Sequence, residues 1–210
     1  MQASQFFGWR VSSWVHTNDK VCFVRSARRL HYSYDEYLDA LKRSDVKLEY
    51  CDGEIYAMAG GTLAHAALSA RMIRIIGSQL STGCEVFTSD AKVRIDETDL
   101  TTFPDASVVC GEIRKSPLDA HALSNPTLLV EVTSKSTEDY DRSAKLSHYR
   151  QIPSLQAILL VSHRSARVTV VRRGIADWEE YECRSGEIVE LTQPQLRFSI
   201  DEVYQGIDLE

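Results

Sequence analysis

Leu128-Leu129-Val130-Glu131-Val132-Thr133-Ser134 sets a single carboxylate inside a short aliphatic run, bounded upstream by Pro126. Six or seven residues rich in valine, leucine and threonine are too few for a helix and read as a buried strand. Glu131 is the anomaly. A bare carboxylate in an apolar strand costs several kcal/mol or more unless it is paired or binds a cation.

A partner is in reach upstream. Phe103-Pro104-Asp105-Ala106-Ser107-Val108-Val109-Cys110 is a second apolar run, opened by Pro-Asp. Proline is tolerated at a strand entrance, which puts Asp105 at the mouth of the strand and Val108 and Val109 inside the sheet. Two neighbouring strands would bring Asp105 and Glu131 together. Carboxylates sharing a spot raise each other's pKa, and a hard divalent cation with oxygen ligands relieves that conflict. The bland alternative is a strand-end aspartate and a glutamate paired with an arginine.

Downstream, a helix is expected from about Glu138 to Gln151, ended by Pro153, with Asp141 and Lys145 spaced i, i+4 on one face. Pro104-Asp105, then Glu131-Val132-Thr133-Ser134 on an apolar strand, then Lys145 on the following helix resembles the PD-(D/E)XK nucleases. More narrowly the chain resembles the Uma-two group of putative restriction endonucleases, from about residue 31 to about residue 205. Leu48 to Tyr56, followed by His65, also fits that group.

The resemblance implies a restriction-endonuclease-like α/β fold, a mixed central β-sheet flanked by helices. It implies metal-dependent hydrolysis of phosphodiester bonds, of DNA in the first place, with a smaller phosphoester as a further alternative. Asp105, Glu131 and the Val132 carbonyl would hold Mg²⁺ or Mn²⁺, with Glu49 and His65 as additional site residues. A homodimer suits the cutting of two antiparallel strands. The chain departs from the pattern at Thr133, where Glu-x-Lys demands lysine. Lys145 is the expected substitute cation, with Lys135 on the intervening loop as its rival. Loss of that lysine also admits a catalytically inactive module that binds nucleic acid or protein.

The rest of the chain frames this site. Ser33-Tyr34-Asp35-Glu36 is a capping box that opens a helix with a Tyr34, Tyr37, Leu38, Leu41 stripe. Val46 to Met58 reads as a hairpin turning on Asp52-Gly53. Glu49, beside that turn, reads from spacing alone as a solvated strand carboxylate. Thr62 caps a helix to about Leu80, with His65 in its first turn, a place that disfavours protonated imidazole. Lys92 and Arg94 alternate onto one strand face and are candidate phosphate contacts. Gly111 to Asn125 reads as a long loop. Gln156 to Val161 and Val168 to Val171 are strands. The first of these, following the helix after Glu131, predicts a βαβ unit with parallel pairing. Trp178 to Cys183, Ile188 to Leu191 and Leu196 to Ser199 extend the antiparallel part, and Asp201 is expected to cap a last short helix.

With 210 residues and 43% hydrophobic content, one domain with a real core is expected over residues 31–210. Residues 1–30 read as a poorly ordered extension, or as sequence upstream of the true start. No apolar run approaches the roughly 18 residues of a membrane span. Five cysteines, odd in number and without C-x-x-C spacing, argue against disulfides and zinc. Cys84 and Cys110 read as core thiols in a reducing, cytoplasmic compartment. The net charge is −6. Residues 1–30 hold five basic residues and one acid, so taking that +4 from −6 leaves −10 on residues 31–210. Nucleic-acid affinity must then come from a local basic face or bound cations, because phosphate neutralisation supplies most non-specific binding.

Overall fold

The computed structural model describes residues 31–58, 60–133 and 144–209. The sequence-predicted extension over residues 1–30, Lys135 and Asp141 lie outside them.

The strand around Glu131 lies at the centre of one of two six-stranded sheets. In chain order the elements are α1 (Tyr34–Arg43), β1 (Leu48–Cys51), β2 (Glu54–Ala57), α2 (Leu63–Gly77), β3 (Cys84–Thr88), β4 (Lys92–Ile95) and a 3₁₀ turn (Asp96–Thr98). Next come β5 (Leu100–Thr102), β6 (Ala106–Cys110), β7 (Lys115–Ser116), β8 (Asp119–Leu123), β9 (Leu128–Thr133) and α3 (Leu146–Tyr149). The chain ends with β10 (Ala157–Ser162), β11 (Arg167–Arg173), β12 (Trp178–Arg184), β13 (Ile188–Thr192), β14 (Gln195–Ser199) and α4 (Ile200–Tyr204). The central sheet runs β12-β11-β10-β9-β6-β3; the second runs β2-β1-β5-β4-β8-β7; β13 and β14 form a separate pair. The mixed α/β architecture expected from the sequence is what the chain adopts.

β9 and β10 are buried at every position and pair in parallel, Leu128 opposite Ala157 through Thr133 opposite Ser162. Parallel strands need a crossover, and the segment holding α3 supplies it. On one face, Leu68, Met72, Ile75 and Ile76 of α2 meet Leu128, Val130 and Val132. On the other, Leu129 packs with Leu146, Tyr149, Ile152, Leu155 and Ile158, together with Val93, Ile95 and Leu100 of the second sheet. Each of these buried aliphatic side chains contributes on the order of 2 kcal/mol. Glu131 therefore sits where two layers close over one strand.

The local signals decide several elements. Ser33 caps α1 through both halves of its box, and Tyr37 packs with Tyr34 and Tyr50 at ring distances of 5.4 and 5.2 Å. Asp52 and Gly53 take φ of 45° and 81°, the two left-handed positions a type I′ turn requires. β1 and β2 pair in the register that follows, Glu49 opposite Tyr56.

Four expectations are corrected. Cys84 and Cys110 are joined by a disulfide, because the antiparallel register of β3 on β6 sets them directly opposite, with Cα atoms 4.0 Å apart. They are not free core thiols. Residues 111–125 are not one loop: β7 and β8 form a short hairpin, and β8 pairs in parallel with β4. The last helix is capped by Ser199, whose hydroxyl accepts from the Glu202 amide, while Asp201 accepts from Ser185 and Gly186. Finally, Lys92 and Arg94 do not face solvent. Lys92 pairs with Asp119, both nearly buried. Arg94, 2% exposed, pairs with Asp96 and Asp99, donates to Thr101 and stacks on Tyr34. β4 is covered on both faces, so Lys92 is spent on buried Asp119 and Arg94 on Asp96 and Asp99, and neither is presented to phosphate.

Candidate active site

β6 and β9 part company at one point, and the site is built there. Their last matched pair is Ala106 opposite Val130, yet β9 runs on to Thr133. The Val132 N–H is left without a ladder partner, and buried N–H groups are nearly always satisfied. Asp105 satisfies it, with Oδ2 accepting at 2.8 Å. The Pro-Asp entrance to β6 thus becomes a carboxylate held against the backbone of the residue after Glu131.

α2 approaches the same carboxylate. Thr62 caps the helix by accepting from the His65 amide. His65 and Ser69, one turn apart, then reach Asp105 from one face. His65 Nε2 lies 3.4 Å from Oδ2, and the Ser69 hydroxyl donates to Oδ1 at 2.9 Å. The hydrogen bond to Asp105 raises the His65 pKa against the opposing effect of burial; the charges of Asp105 and Glu131 and the Val132 carbonyl push the same way. The helix-terminus argument, which disfavoured protonated imidazole, is outweighed by this anionic surround.

The second half lies on the opposite face of β9, as strand alternation requires. Lys145 precedes α3 and turns its ammonium inward, 5% exposed, 3.0 Å from Glu131 Oε1 and 3.2 Å from Glu49 Oε1. Glu131 also accepts from the hydroxyl of Tyr149, one helical turn beyond Lys145. Burial and the Glu131 charge hold that phenol protonated, well above its ordinary pKa. Glu49 accepts from Thr102. It is not the solvated carboxylate its spacing suggested: the hairpin carries it across from the second sheet to Lys145. Beside it on β1, Cys51 Sγ meets His148 Nε2 at 3.9 Å, a second contact between hairpin and α3.

The structure therefore gathers Asp105 with His65, and Glu131 with Lys145 and Glu49, and β9 joins the two groups through adjacent residues. It does not bring in Lys92 or Arg94. Sequence reasoning missed the hydroxyl donors Ser69, Thr102 and Tyr149. Ser69 and Tyr149 carried the same signal, an i, i+4 spacing from His65 and from Lys145; Thr102 carried none.

Among the described residues no three or more His, Cys, Asp or Glu side chains close into a ready-made metal cage. Mg²⁺ does not require one, since it takes one or two carboxylates and completes its shell with water and substrate oxygens. Asp105, Glu131 and the Val132 carbonyl are all hard oxygen donors and fit such an ion.

The sequence profile of a family described as "Putative restriction endonuclease" (Uma2) matches residues 34–201. The protein slr1290 of Synechocystis sp. (strain ATCC 27184 / PCC 6803 / Kazusa), described as uncharacterized, is 38% identical over 178 residues, covering 83% of this chain and 92% of its own. A second uncharacterized protein of that strain, sll1609, is 32% identical over 134 residues, covering 63% of this chain and 76% of its own. Among solved structures, one described as a putative nuclease belonging to DUF820, from Anabaena variabilis ATCC 29413, superposes with a TM-score of 0.66 at 20% identity. It covers 81% of this chain and 96% of that one. At that identity the likeness speaks to the fold.

Proposed function

We propose, since the chain belongs to the Uma2 family of putative restriction endonucleases, that it hydrolyses phosphodiester bonds of DNA with Mg²⁺ or Mn²⁺ as cofactor. One observation carries this reading. The Lys145 ammonium stands 3.0 Å from Glu131, supplying beside the carboxylate the cation that Thr133 does not.

Asp105, Glu131 and the Val132 carbonyl hold the ion. A bound Mg²⁺ or Mn²⁺ supplies Lewis-acid activation of the phosphodiester and of water. Lys145 orients the attacking water from beside Glu131 and offsets the charge that develops on the phosphate. Glu49 holds the same ammonium at 3.2 Å. His65, hydrogen-bonded to Asp105, sets the orientation of that carboxylate and faces the phosphate. Lys135, which follows β9 in the sequence, is assigned as a nucleic-acid contact. Two copies about a two-fold axis would address both strands of a duplex. Among the described residues no helix is long and apolar enough to cross a membrane.

The test is nicking of supercoiled plasmid with Mg²⁺ or Mn²⁺, with and without chelator, by the wild type and by Glu131→Ala. Metal-dependent nicking lost in the variant supports the reading; its absence from the wild type overturns it. Thr133 and the −10 charge of residues 31–210 favour a second reading, a module that binds nucleic acid or protein without cutting. DNA retention that ignores both chelator and Glu131→Ala would support that one.

A further inference from the structure

We propose that Tyr149 is a positioning residue, holding the Glu131 carboxylate in register with Lys145. The inference rests on the functional reading above and deepens it.

Tyr149 is fully buried and its hydroxyl donates to Glu131 Oε1, the oxygen that Lys145 approaches at 3.0 Å. Lys145, at the N-cap of α3, and Tyr149, at its end, stand a turn apart, so both donors descend on one oxygen from one side. They differ in stiffness. A lysine ammonium swings on four methylenes, and here it is shared with Glu49 at 3.2 Å; alone it cannot fix where Glu131 points. A tyrosine has two side-chain torsions, and this ring is wedged among Leu129, Leu146, Ile152, Leu155 and Ile158. Its hydroxyl is therefore a fixed point, and the carboxylate follows it. Thr102 marks Glu49 in the same manner, so each carboxylate flanking Lys145 receives a neutral hydroxyl from a rigid element. Such a donor orients a carboxylate without adding the positive charge that would compete with a divalent ion. A hydrophobic core alone would need no oxygen at this ring position.

The test compares Tyr149→Phe with Tyr204→Phe. Tyr204 is also buried and donates its hydroxyl to the Ser162 and Arg167 carbonyls, with none of the site carboxylates among its partners there. Both variants lose one buried hydroxyl and a comparable part of the melting temperature. Y149F alone is expected to lose about tenfold to a hundredfold in kcat at little change in KM for DNA, the scale of a misplaced reacting group. It should also bind Mn²⁺ severalfold more weakly by calorimetry. In the metal-free proteins the carboxyl ¹³C resonance of Glu131, at one fixed pH, should shift or broaden in Y149F and not in Y204F. The 4-amino analogue of phenylalanine at position 149, which restores a donor, should recover the wild-type resonance and kcat. It also serves as the test variant if Y149F does not fold. Wild-type behaviour of Y149F in kcat, Mn²⁺ affinity and the Glu131 resonance overturns the inference, as does failure of the amino analogue to restore them. If the wild type neither nicks DNA nor binds Mn²⁺, the functional reading fails by itself. The Glu131 resonance then still decides whether Tyr149 sets the carboxylate.

Discussion

The Lys145 ammonium lies 3.0 Å from the Glu131 carboxylate, with both side chains less than a tenth exposed. Removing one partner of a buried pair leaves the other charge uncompensated, at about 3 to 5 kcal/mol. Lys145→Met, which keeps the aliphatic stem, should lower the melting temperature by roughly 10 °C, given some 2 to 4 °C per kcal/mol in chains of this size. It should also abolish nicking. A lysine exposed on the helix surface would change stability by less than about 0.5 kcal/mol, so a melt within 2 °C of wild type contradicts the buried arrangement.

Metal binding should depend on both strands. Calorimetry with Mn²⁺ should show binding by the wild type that weakens sharply in Asp105→Ala and in Glu131→Ala, each of which removes one of only two carboxylate donors. Equal binding by all three proteins would remove the proposed ion from this place.

Asp119 provides a pH test away from the site. Burial raises its pKa, but the Lys92 ammonium, the His121 amide and the Tyr34 hydroxyl outweigh burial and leave it lowered. A carboxylate with a depressed folded pKa contributes stability above its unfolded value, and that contribution is lost as pH falls through the folded one. Asp119→Asn should therefore cost about 3 kcal/mol at pH 7, where Lys92 is left buried and unmatched. The gap to wild type should close as pH drops below about 4. Urea unfolding at pH 7 and pH 3 measures it; a gap constant with pH would show that the charge of Asp119 does not matter.

The disulfide gives a fourth expectation. Cys84 and Cys110 are 26 residues apart, and closing a loop of that size in the unfolded chain is worth about 3 kcal/mol. Reduction, or Cys84→Ser with Cys110→Ser, should lower the urea midpoint accordingly, and reoxidation should restore it in the wild type alone. An unchanged midpoint would show that the bond adds no stability.

How much of this was legible in the sequence depended on whether the signal was local. The Ser33 capping box, the Asp52-Gly53 turn and the Thr62 cap are each written in four residues or fewer, and all formed as read. The parallel pairing of β9 with β10 also followed from pattern, because two wholly apolar runs flanking a helix have few other arrangements. Alternation in β4, however, says which residues share a face and not whether that face meets water. Arg94 was therefore placed at the surface when Tyr34 of α1, with Tyr50 and Thr101 of its own sheet, in fact covers it. The Cys84–Cys110 bond required a register between strands that spacing does not contain. Asp119-Ala120-His121-Ala122-Leu123 has too few β-branched residues to announce a strand, and pairing with β4 decided it. Glu49 looked solvated because its counter-ion comes from the helix after β9.

That long-range origin has a kinetic corollary. Thr102 and Glu49 are 53 residues apart, and Cys51 and His148, the neighbouring contact between hairpin and α3, are 97 apart. Contacts of such separation form only after their loop-closure entropy has been overcome, and they slow folding. On a ribosome the hairpin would emerge long before α3 exists, carrying Glu49 without its lysine. A nascent or truncated chain of this protein would thus carry Glu49 without Lys145, and the cluster would be assembled only when the last third of the polypeptide closes over the first.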